Sequence, residues 1–267
     1  MKTLIIGGSG FLGSRLAEVL DESCNSTYYK NMIFPNQFKL DLGNKRSIQK
    51  CLDKTKPDVV IHCGGLTSTD FCEANQDLAT RINVSGTQEL IKSFDGKVIY
   101  FSTDYVFDGE SAPYNENSQT NPINHYGKTK LDAEKAVLER PQNLVVRVSG
   151  LYGFNRRNNR FLDGLRKSKV ITASQELIST PTYIEDIARA IPNFMNITGI
   201  LHFTGEQPFS RYDFAKFAVE SLGLDAKVVA QEGNRSIRRP RNSSLVSVYS
   251  LRKTPIDESF REIRSAI

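Results

Sequence analysis

A glycine-rich turn follows an apolar run near the start of the chain and precedes an apolar helical pattern. Residues 3–6 read TLII, which predicts a short buried β-strand. Gly7, Gly10 and Gly13 follow, and leucines and a valine then recur at helical spacing up to Leu20. Glycines permit a tight turn, and the helix that follows offers free N–H groups and a positive dipole to a phosphate. This order therefore predicts a strand–turn–helix unit that binds the pyrophosphate of a dinucleotide.

Strand and helix patterns alternate along most of the chain. Short apolar runs predict strands at residues 3–6, 26–30, 57–65, 97–102, 143–150 and 200–205. Helical spacing predicts helices after the glycine turn, from residue 126 onward, and within residues 44–52, 75–94, 180–191 and 210–224. The alternation implies an α/β fold, a Rossmann-type doubly wound parallel sheet, with loops and short elements after residue 224.

The ligand of such a sheet lies at the carboxyl ends of its strands. Four residues fall at predicted strand ends, namely Gly7, Gly64, Thr103 and Ser149, so one crevice is expected to collect them. Gly65 lies at the same strand end as Gly64 and would also let a cofactor approach the backbone.

The pattern loosens after residue 149, which suggests two regions. The dinucleotide-binding region is predicted to comprise residues 1–149 with 182–204, and a small C-terminal substrate-binding lid residues 150–181 with 205–267. Basic runs at residues 156–160 and 235–241 lie in the lid. Such runs are usually solvated, but Arg160 or Arg241 is a candidate for holding the phosphates of a substrate.

The stretch from residue 100 to residue 130 carries the candidate catalytic chemistry. A predicted strand ends at the hydroxyls of Ser102 and Thr103, and Tyr126 and Lys130 follow at a spacing of one helical turn. A phenol titrates near ~10, and a neighbouring ammonium is expected to favour the phenolate. Tyr126 could then exchange a proton with a substrate oxygen that Thr103 holds by a hydrogen bond. Taken alone, this spacing is more typical of an ordinary amphipathic helix than of a catalytic pair.

The end of the second predicted strand bears on the choice of cofactor. Folds that prefer NAD place an acidic residue there to bind the ribose hydroxyls. Here the end reads Tyr29-Lys30-Asn31, and Lys30 would attract the 2′-phosphate of NADPH. NADPH is therefore the favoured cofactor, with NADH as the alternative. Asp41 has two interpretations, an acceptor for the adenine amino group or an N-cap of the next helix.

Two polar residues lie within apolar patterns. His62, in the third predicted strand, is expected to be a hydrogen-bonded core residue rather than a ligand. Asn83 stands in the middle of a predicted helix, where asparagine is unfavourable. It is expected either to line the cofactor site or to be exposed to solvent.

Composition excludes several classes of protein. The chain has 267 residues, of which 39% are hydrophobic and 24% charged, and no apolar run approaches the ~20 residues of a membrane span. Four cysteines without a CxxC pair and three histidines argue against a metal site, so we expect reduced thiols in a cytoplasmic protein without a signal peptide. The net charge of +5 is modest, which favours a phosphorylated small molecule over nucleic acid.

Five motifs occur in one order along the chain: GGSGFLG at 7–13, STDYVFDG at 102–109, PINHYGKTKLDAEKA at 122–136, RVSGLYG at 147–153 and RPRNSSL at 239–245. With them the chain resembles the extended short-chain dehydrogenase/reductase family and, within it, the dTDP-4-dehydrorhamnose reductases. The resemblance covers nearly the whole chain. STDYVFDG combined with NxYGxTKxxxE is far more specific than the spacing of Tyr126 and Lys130.

The resemblance implies reduction of a 4-keto-6-deoxy sugar carried on a nucleotide, with a hydride from NAD(P)H and a proton from Tyr126. It implies that Thr103 is a catalytic hydroxyl and that Lys130 also holds the nicotinamide ribose. It places Thr67 and Tyr105 close to the sugar. A nucleotide sugar is thus the expected partner, and a homodimer a possible assembly.

The predicted site residues form three sets. The catalytic residues are Thr103, Tyr126 and Lys130. The cofactor-binding residues lie in the glycine turn, at strand ends and on the catalytic helix: Gly7, Gly10, Phe11, Leu12, Gly13, Lys30, Asp41, Leu42, Cys63, Gly64, Gly65, Asn83, Ser102, Tyr126 and Lys130. The substrate-binding residues are Thr67, Tyr105, Arg160 and Arg241.

Three departures from the reductase pattern bear on the substrate more than on the redox chemistry. The turn after the third strand is Cys63-Gly64-Gly65 rather than alanine-rich. Gly150 stands where an aromatic residue often follows Arg-x-Ser, so one wall of the sugar pocket is expected to be open. Ser244 stands where an arginine commonly precedes the leucine of the last motif.

Two alternatives stay open. The regulatory β subunit of methionine adenosyltransferase resembles the same reductases, so the chain could be an NADP-binding regulatory subunit. A sugar-nucleotide epimerase of the same fold would retain NAD, which the non-acidic end of the second strand disfavours.

Overall fold

The computed structural model describes residues 1–21, 24–158, 160–231 and 237–267. Its strands are β1 (Thr3–Ile6), β2 (Cys24–Tyr28), β3 (Phe38–Lys39), β4 (Val59–His62), β5 (Lys97–Thr103), β6 (Leu144–Val148), β7 (Leu151–Tyr152), β8 (Val170–Ala173), β9 (Ile178–Ser179), β10 (Thr182–Tyr183), β11 (Gly199–His202), β12 (Phe209–Ser210) and β13 (Lys227–Ala230). Its α-helices are α1 (Phe11–Leu20), α2 (Lys45–Thr55), α3 (Thr69–Ala74), α4 (Gln76–Ala79), α5 (Gly86–Ser93), α6 (His125–Leu138), α7 (Arg160–Arg166), α8 (Ile184–Phe194), α9 (Arg211–Leu222) and α10 (Ile256–Ala266).

Within the described residues, the main sheet has seven strands in the order β11-β6-β5-β4-β1-β2-β3. Every neighbouring pair in it is parallel. The chain first winds outward from β1 through β2 and β3, and it then returns to β4 on the other side of β1. The predicted doubly wound Rossmann-type sheet is therefore confirmed. Its crevice lies where the winding reverses, between β1 and β4.

Helices cover both faces of this sheet. Ile5 of β1 faces a core that includes residues of α1 and α8. Its neighbours Leu4 and Ile6 face a second core that includes residues of α2, α5 and α6. Because both faces are buried, the central strands are apolar on both sides, as parallel sheets require. The apolar runs that predicted the strands are thus explained by the two cores.

His62 is the last residue of β4 and is buried in the fold. Its ring is 1% exposed and lies with Nε2 3.2 Å from Thr87 Oγ1. Burial, assisted by the charge of Lys130, lowers the pKa of His62 to about 3. The prediction of a hydrogen-bonded core histidine is confirmed.

The helix predicted over residues 75–94 is interrupted around Asn83. After α4 the chain forms a π-helical turn over Thr80–Ser85, and α5 then begins at Gly86. Such turns occur frequently at functional sites, because the wider turn redirects side chains. Asn83 is 3% exposed, so the solvent-exposed alternative is wrong.

The last part of the chain contains a helix where loops and short elements were predicted. Phe260 and Ile263 of α10 pack with Tyr152 and Leu222 in a separate, aromatic-rich core. The spacing of these apolar residues is helical, but Pro255 at the N-cap makes no side-chain capping bond, so the start signal was weak. No helix in the described ranges is long and apolar enough to span a membrane.

Candidate active site

The glycine turn connects β1 and α1, as the sequence predicted. Gly7 has a φ of +82°, and a Cβ on it would lie 2.7 Å from the backbone nitrogen of Gly64. A Cβ on Gly13 would lie 2.2 Å from the carbonyl oxygen of Gly7. The turn therefore requires glycine at both positions. Gly10, the N-cap of α1, has no side chain to satisfy the first-turn N–H groups, which suits an anionic ligand.

A cavity of about 230 Å³, here called the dinucleotide cavity, opens beside this turn. It is lined by the ends of β1, β2 and β3 and by the loop after β4: Ile6, Gly7, Ser9, Gly10, Thr27, Tyr28, Tyr29, Leu40, Asp41, Leu42, Cys63, Gly64, Gly65, Leu66 and Ile82. Its wall is apolar, with glycines where a ligand must approach the backbone. The cavity and the helix N-terminus therefore fit a dinucleotide. Phe11 and Leu12 start α1, and the Leu12 side chain packs in the first core.

The polar residues predicted at the adenosine end are only partly brought into this cavity. β2 ends at Tyr28, two residues before the predicted end, so Lys30 is exposed beyond the strand and does not line the cavity. Asp41 does line it, and its Oδ1 accepts the Gly43 N–H at 2.8 Å. The N-cap of α2 is Asn44, so the capping alternative for Asp41 is wrong.

Asn83 holds the loop between the two halves of the crevice. Its Oδ1 accepts the Leu66 N–H at 2.8 Å, and its Nδ2 donates to the Leu66 carbonyl at 3.0 Å and to Thr129 Oγ1 at 3.1 Å. A Cβ on Gly65 would lie 2.9 Å from Asn83 Oδ1. The π turn thus directs the Asn83 amide at both backbone polar groups of Leu66, and Asn83 shapes the cavity wall through Leu66 rather than by lining it.

A second cavity of about 350 Å³, here called the substrate cavity, lies at the carboxyl end of β5. Four predicted residues line it: Thr67, Thr103, Tyr105 and Tyr126. Leu66 borders the dinucleotide cavity, and the next residue borders the substrate cavity, so the two cavities meet at this loop. Most of the remaining wall comes from residues after 149, including Gly150, which has a φ of +46° and whose Cβ position would lie 3.5 Å from the nearest atom, Ser179 Oγ.

Tyr126 is 9% exposed, and its ring packs edge-on against Tyr105 with centroids 6.0 Å apart. Burial raises the pKa of Tyr126, and a hydrogen bond with Thr103 opposes that shift. The expectation that Lys130 lowers the pKa of this phenol is wrong for the structure. Desolvation of the phenolate outweighs the other effects.

Lys130 is 6% exposed, and its ammonium is directed at the sheet. Nζ donates to the Phe101 carbonyl at 2.7 Å and lies 4.0 Å from the centroid of the Tyr100 ring. Burial lowers the pKa of Lys130 from 10.5 to about 7, although the charge of Glu134 opposes this shift. Since the ammonium is partly deprotonated near neutral pH, it is a weaker electrostatic partner for the phenol than the sequence suggested.

Asp104 is a cavity residue to which the sequence analysis gave no role. It is 4% exposed and accepts hydrogen bonds from the hydroxyls of Thr103 (3.0 Å), Ser149 (2.8 Å) and Ser243 (2.5 Å). Burial raises the pKa of Asp104, while these hydroxyls lower it. Its place directly after Thr103 in the STDYVFDG motif was the available signal.

Ser102 is another predicted cofactor residue that does not line the dinucleotide cavity. Its hydroxyl donates to Glu134, whose carboxylate also receives Arg147 Nη2 at 2.7 Å. The side chains of this ion pair are 1% and 3% exposed. Because strand residues alternate in direction, Ser102 faces α6 and Thr103 faces the substrate cavity.

Of the two predicted phosphate-binding arginines, the one whose side chain is described, Arg241, does not line the substrate cavity. Arg241 pairs with Glu176 at 3.7 Å, and both side chains are largely exposed. The side chain of Arg160 lies outside the described residues. Arg211, at the start of α9, lines the cavity mouth and donates from Nη2 to Tyr105 Oη at 2.8 Å. It is the cationic side chain among the described lining residues, and its only sequence signal was its position in a capped helix start.

The chain is similar to known proteins over most of its length. Methionine adenosyltransferase 2 subunit beta of Danio rerio is 26% identical over 294 residues, covering 98% of this chain and 89% of the relative. The dTDP-4-dehydrorhamnose reductase of Aggregatibacter actinomycetemcomitans is 31% identical over 269 residues, covering 91% of this chain and 90% of the relative.

Among solved structures, that of dTDP-4-dehydrorhamnose reductase from Bacillus anthracis in complex with NADP is similar, with a TM-score of 0.87 and 26% identity. The alignment covers 100% of this chain and 99% of that one. The profile of the RmlD substrate binding domain family matches residues 1–265, and the chain therefore belongs to that family.

Proposed function

We propose that this protein is an NADPH-dependent reductase of a nucleotide-linked 4-keto-6-deoxy sugar. The observation that carries the proposal is the meeting of the dinucleotide cavity and the substrate cavity at Leu66 and Thr67, with Thr103 and Tyr126 on the substrate side. The similarity to dTDP-4-dehydrorhamnose reductases, one of them solved with NADP, supports this assignment.

Bound NADPH supplies the hydride that reduces the ketone carbon. Tyr126 donates its phenolic proton to the ketone oxygen. Its raised pKa keeps it protonated at neutral pH but makes it a weaker acid, so the phenolate that forms needs stabilisation. Thr103 stabilises the resulting phenolate by a hydrogen bond. Lys130, with its pKa lowered to about 7, can return a proton from a site excluded from solvent.

We propose further roles for the remaining predicted residues. The glycine turn, Asp41 and the loop held by Asn83 bind the dinucleotide, whereas Thr67 and Tyr105 contact the sugar. Arg211 supplies the positive charge for the diphosphate of the nucleotide. Residues 1–149 with 182–204 serve the dinucleotide, and residues 150–181 with 205–267 serve the substrate.

The proposal is tested with Tyr126→Phe. Loss of the proton donor should lower kcat by about 10²- to 10⁴-fold while NADPH still binds, because the phenol is needed only for chemistry. NADPH oxidation with dTDP-4-keto-6-deoxymannose-type sugars measures turnover, and fluorescence titration measures binding. Tyr249→Phe is the matched control, since Tyr249 is 42% exposed and lies outside both cavities. Full activity in Tyr126→Phe would refute the assigned role.

A second candidate is a regulatory subunit that binds NADP without turnover. It is favoured by the similarity to methionine adenosyltransferase 2 subunit beta, which extends over 98% of this chain. This candidate predicts tight NADP binding, no turnover of any keto sugar, and co-purification with a methionine adenosyltransferase. A reductase would instead turn over and purify without that enzyme. A homodimer also stays a prediction, which sedimentation would test.

A further inference from the structure

The segment of residues 238–246, here called the C-terminal strap, crosses the substrate cavity. Asn124, the N-cap of α6, donates from Nδ2 to the Arg238 carbonyl at 3.2 Å. Further along, the Tyr114 N–H donates to the Ser244 carbonyl at 2.9 Å. The strap therefore docks on the catalytic helix at one end and on the loop before that helix at the other.

Between these anchors, one hydroxyl of the strap reaches Asp104, the residue that follows Thr103. Ser243 is 2% exposed, and its Oγ donates to Oδ2 of Asp104, the oxygen that also receives Ser149. The other oxygen, Oδ1, receives Thr103. The carboxylate is thus shared by the ends of two sheet strands and by the strap, three segments that are remote in sequence.

This sharing determines what Thr103 can do. Its hydroxyl carries one proton, which points to Asp104, while its oxygen accepts the Tyr105 N–H at 3.2 Å. In this arrangement the proton of Thr103 is not directed at the Tyr126 phenol. Once Tyr126 has protonated a ketone, the phenolate needs a donor, and the Thr103 hydroxyl must rotate toward it. No proton leaves Thr103 in this step, because only its direction changes.

Rotation of Thr103 withdraws one hydrogen bond from a buried carboxylate. Such a withdrawal is costly unless other donors stay in place, since Asp104 is only 4% exposed. Ser149 and Ser243 supply these donors. Arg211 lowers the pKa of Asp104 from the mouth of the cavity, and Tyr126 faces the carboxylate from α6.

We propose that Ser243 is a positioning residue that acts through Asp104. By keeping this carboxylate hydrogen-bonded, Ser243 frees the Thr103 hydroxyl to stabilise the Tyr126 phenolate. Docking of the C-terminal strap therefore affects whether Thr103 can stabilise the phenolate. The inference rests on the proposed reductase function and names a residue that the sequence analysis did not select.

Ser243→Ala tests the inference. With one donor lost, Asp104 retains Thr103 more strongly, so kcat should fall about tenfold while KM for the sugar changes by less than about twofold. Ser243→Thr keeps a hydroxyl and should restore kcat. Ser149→Ala should reproduce the effect of Ser243→Ala, because Ser149 donates to the same oxygen but does not line the cavity.

Ser244→Ala is the matched control, since among the described residues the Ser244 hydroxyl bonds within the strap, to Asn242 Oδ1 at 2.6 Å. It should leave kcat unchanged. The inference is overturned if Ser243→Ala keeps its kcat, if only KM rises, or if Ser244→Ala loses as much activity. A direct substrate contact would give the second result, and general loosening of the strap the third.

Hydrogen exchange of peptides covering residues 238–246 provides a readout that needs no turnover. Exchange should become faster in Ser243→Ala and stay unchanged in Ser244→Ala, and equal exchange in both variants contradicts the docking role. A wild-type protein that reduces no keto sugar would refute the proposed function, while the exchange result would still decide whether Ser243 holds the strap.

Discussion

Lys130 illustrates how burial sets the behaviour of a single side chain. The folded protein keeps this ammonium away from water, against the Phe101 carbonyl and the Tyr100 ring. The charge of Glu134 offsets only part of the cost of this desolvation. The result is a pKa of about 7 instead of 10.5. A site that lowers the pKa of a lysine this far stores an unfavourable burial energy, which is typical of functional positions.

The shift at Lys130 predicts how stability depends on pH. Between pH values of about 7 and 10.5 the unfolded chain holds the Lys130 proton and the folded chain does not. The unfolded state then binds more protons, so the free energy of unfolding should rise with pH across this window. Denaturant unfolding between about pH 7 and about pH 7.8, where unfolded thiols with a pKa near ~8.5 are still largely protonated, should show the rise.

Lys130→Met should abolish this rise and increase stability at pH 7, because a methionine can be buried without a charge. Lys135→Met is the control, since the Lys135 side chain is 67% exposed, and it should keep the wild-type slope. An identical slope in Lys130→Met and the wild type would mean that another group titrates.

At the scale of elements, β1, the glycine turn and α1 act with the loop after β4 as one packed unit. Gly13 lets α1 start against the carbonyl of Gly7, and Gly7 in turn touches the backbone of Gly64. The π turn adds a second constraint, because Asn83 binds both the backbone N–H and the carbonyl of Leu66. Backbone atoms therefore form the cavity wall, and side chains of neighbouring elements hold it in place.

Gly13→Ala should disturb this unit. The added Cβ would lie 2.2 Å from Gly7 O, so backbone must shift, and the free energy of unfolding should fall by about 1–3 kcal/mol. NADPH affinity should fall as well. Gly164→Ala in α7 is the control, because a Cβ there meets nothing within 4 Å, and it should be neutral or stabilising by up to about 1 kcal/mol. Equal losses in both variants would contradict the packing argument.

At the scale of the whole molecule, a buried ionic network joins the main sheet to the C-terminal strap. Glu134 of α6 receives Arg147 of β6, and Arg147 Nη1 lies 3.3 Å from the ring of His202 in β11. The other nitrogen of His202 lies 3.0 Å from the Val246 carbonyl in the C-terminal strap. The network therefore links the catalytic helix, two parallel strands and the strap through the interior.

Removal of one partner from this network should be severe. Arg147→Met leaves the Glu134 carboxylate buried without its partner, and stability should fall by about 3–5 kcal/mol. The double variant Glu134→Leu with Arg147→Met should recover a large part of the loss, since no lone charge stays buried. Arg261→Met breaks an exposed pair with Asp257 and should not change the unfolding midpoint. Additive losses in the double variant would argue against coupling.

Local patterns were sufficient for the fold and for part of the candidate site. Apolar runs predicted every strand of the main sheet except β3, and the strand ends led to the expected crevice with Thr103. Tyr126 was selected by its spacing to Lys130, and Thr67 and Tyr105, which line the same cavity, by the family resemblance. The same reasoning selected Arg241, which the fold directs to Glu176, and passed over Arg211. It could not do otherwise, because charge alone does not tell which way an arginine points.

The sequence by itself determined the order of strands and helices, the glycine turn and the spacing of Tyr126 and Lys130, since these depend on neighbours within a few residues. Only the tertiary structure decided the pKa values of these two groups and the hydroxyl network around Asp104. Ser149 and Ser243 lie 45 and 139 residues from Asp104 in the chain. Their meeting, and the exclusion of water that shifts each pKa, arise only when the strand ends and the C-terminal strap pack together.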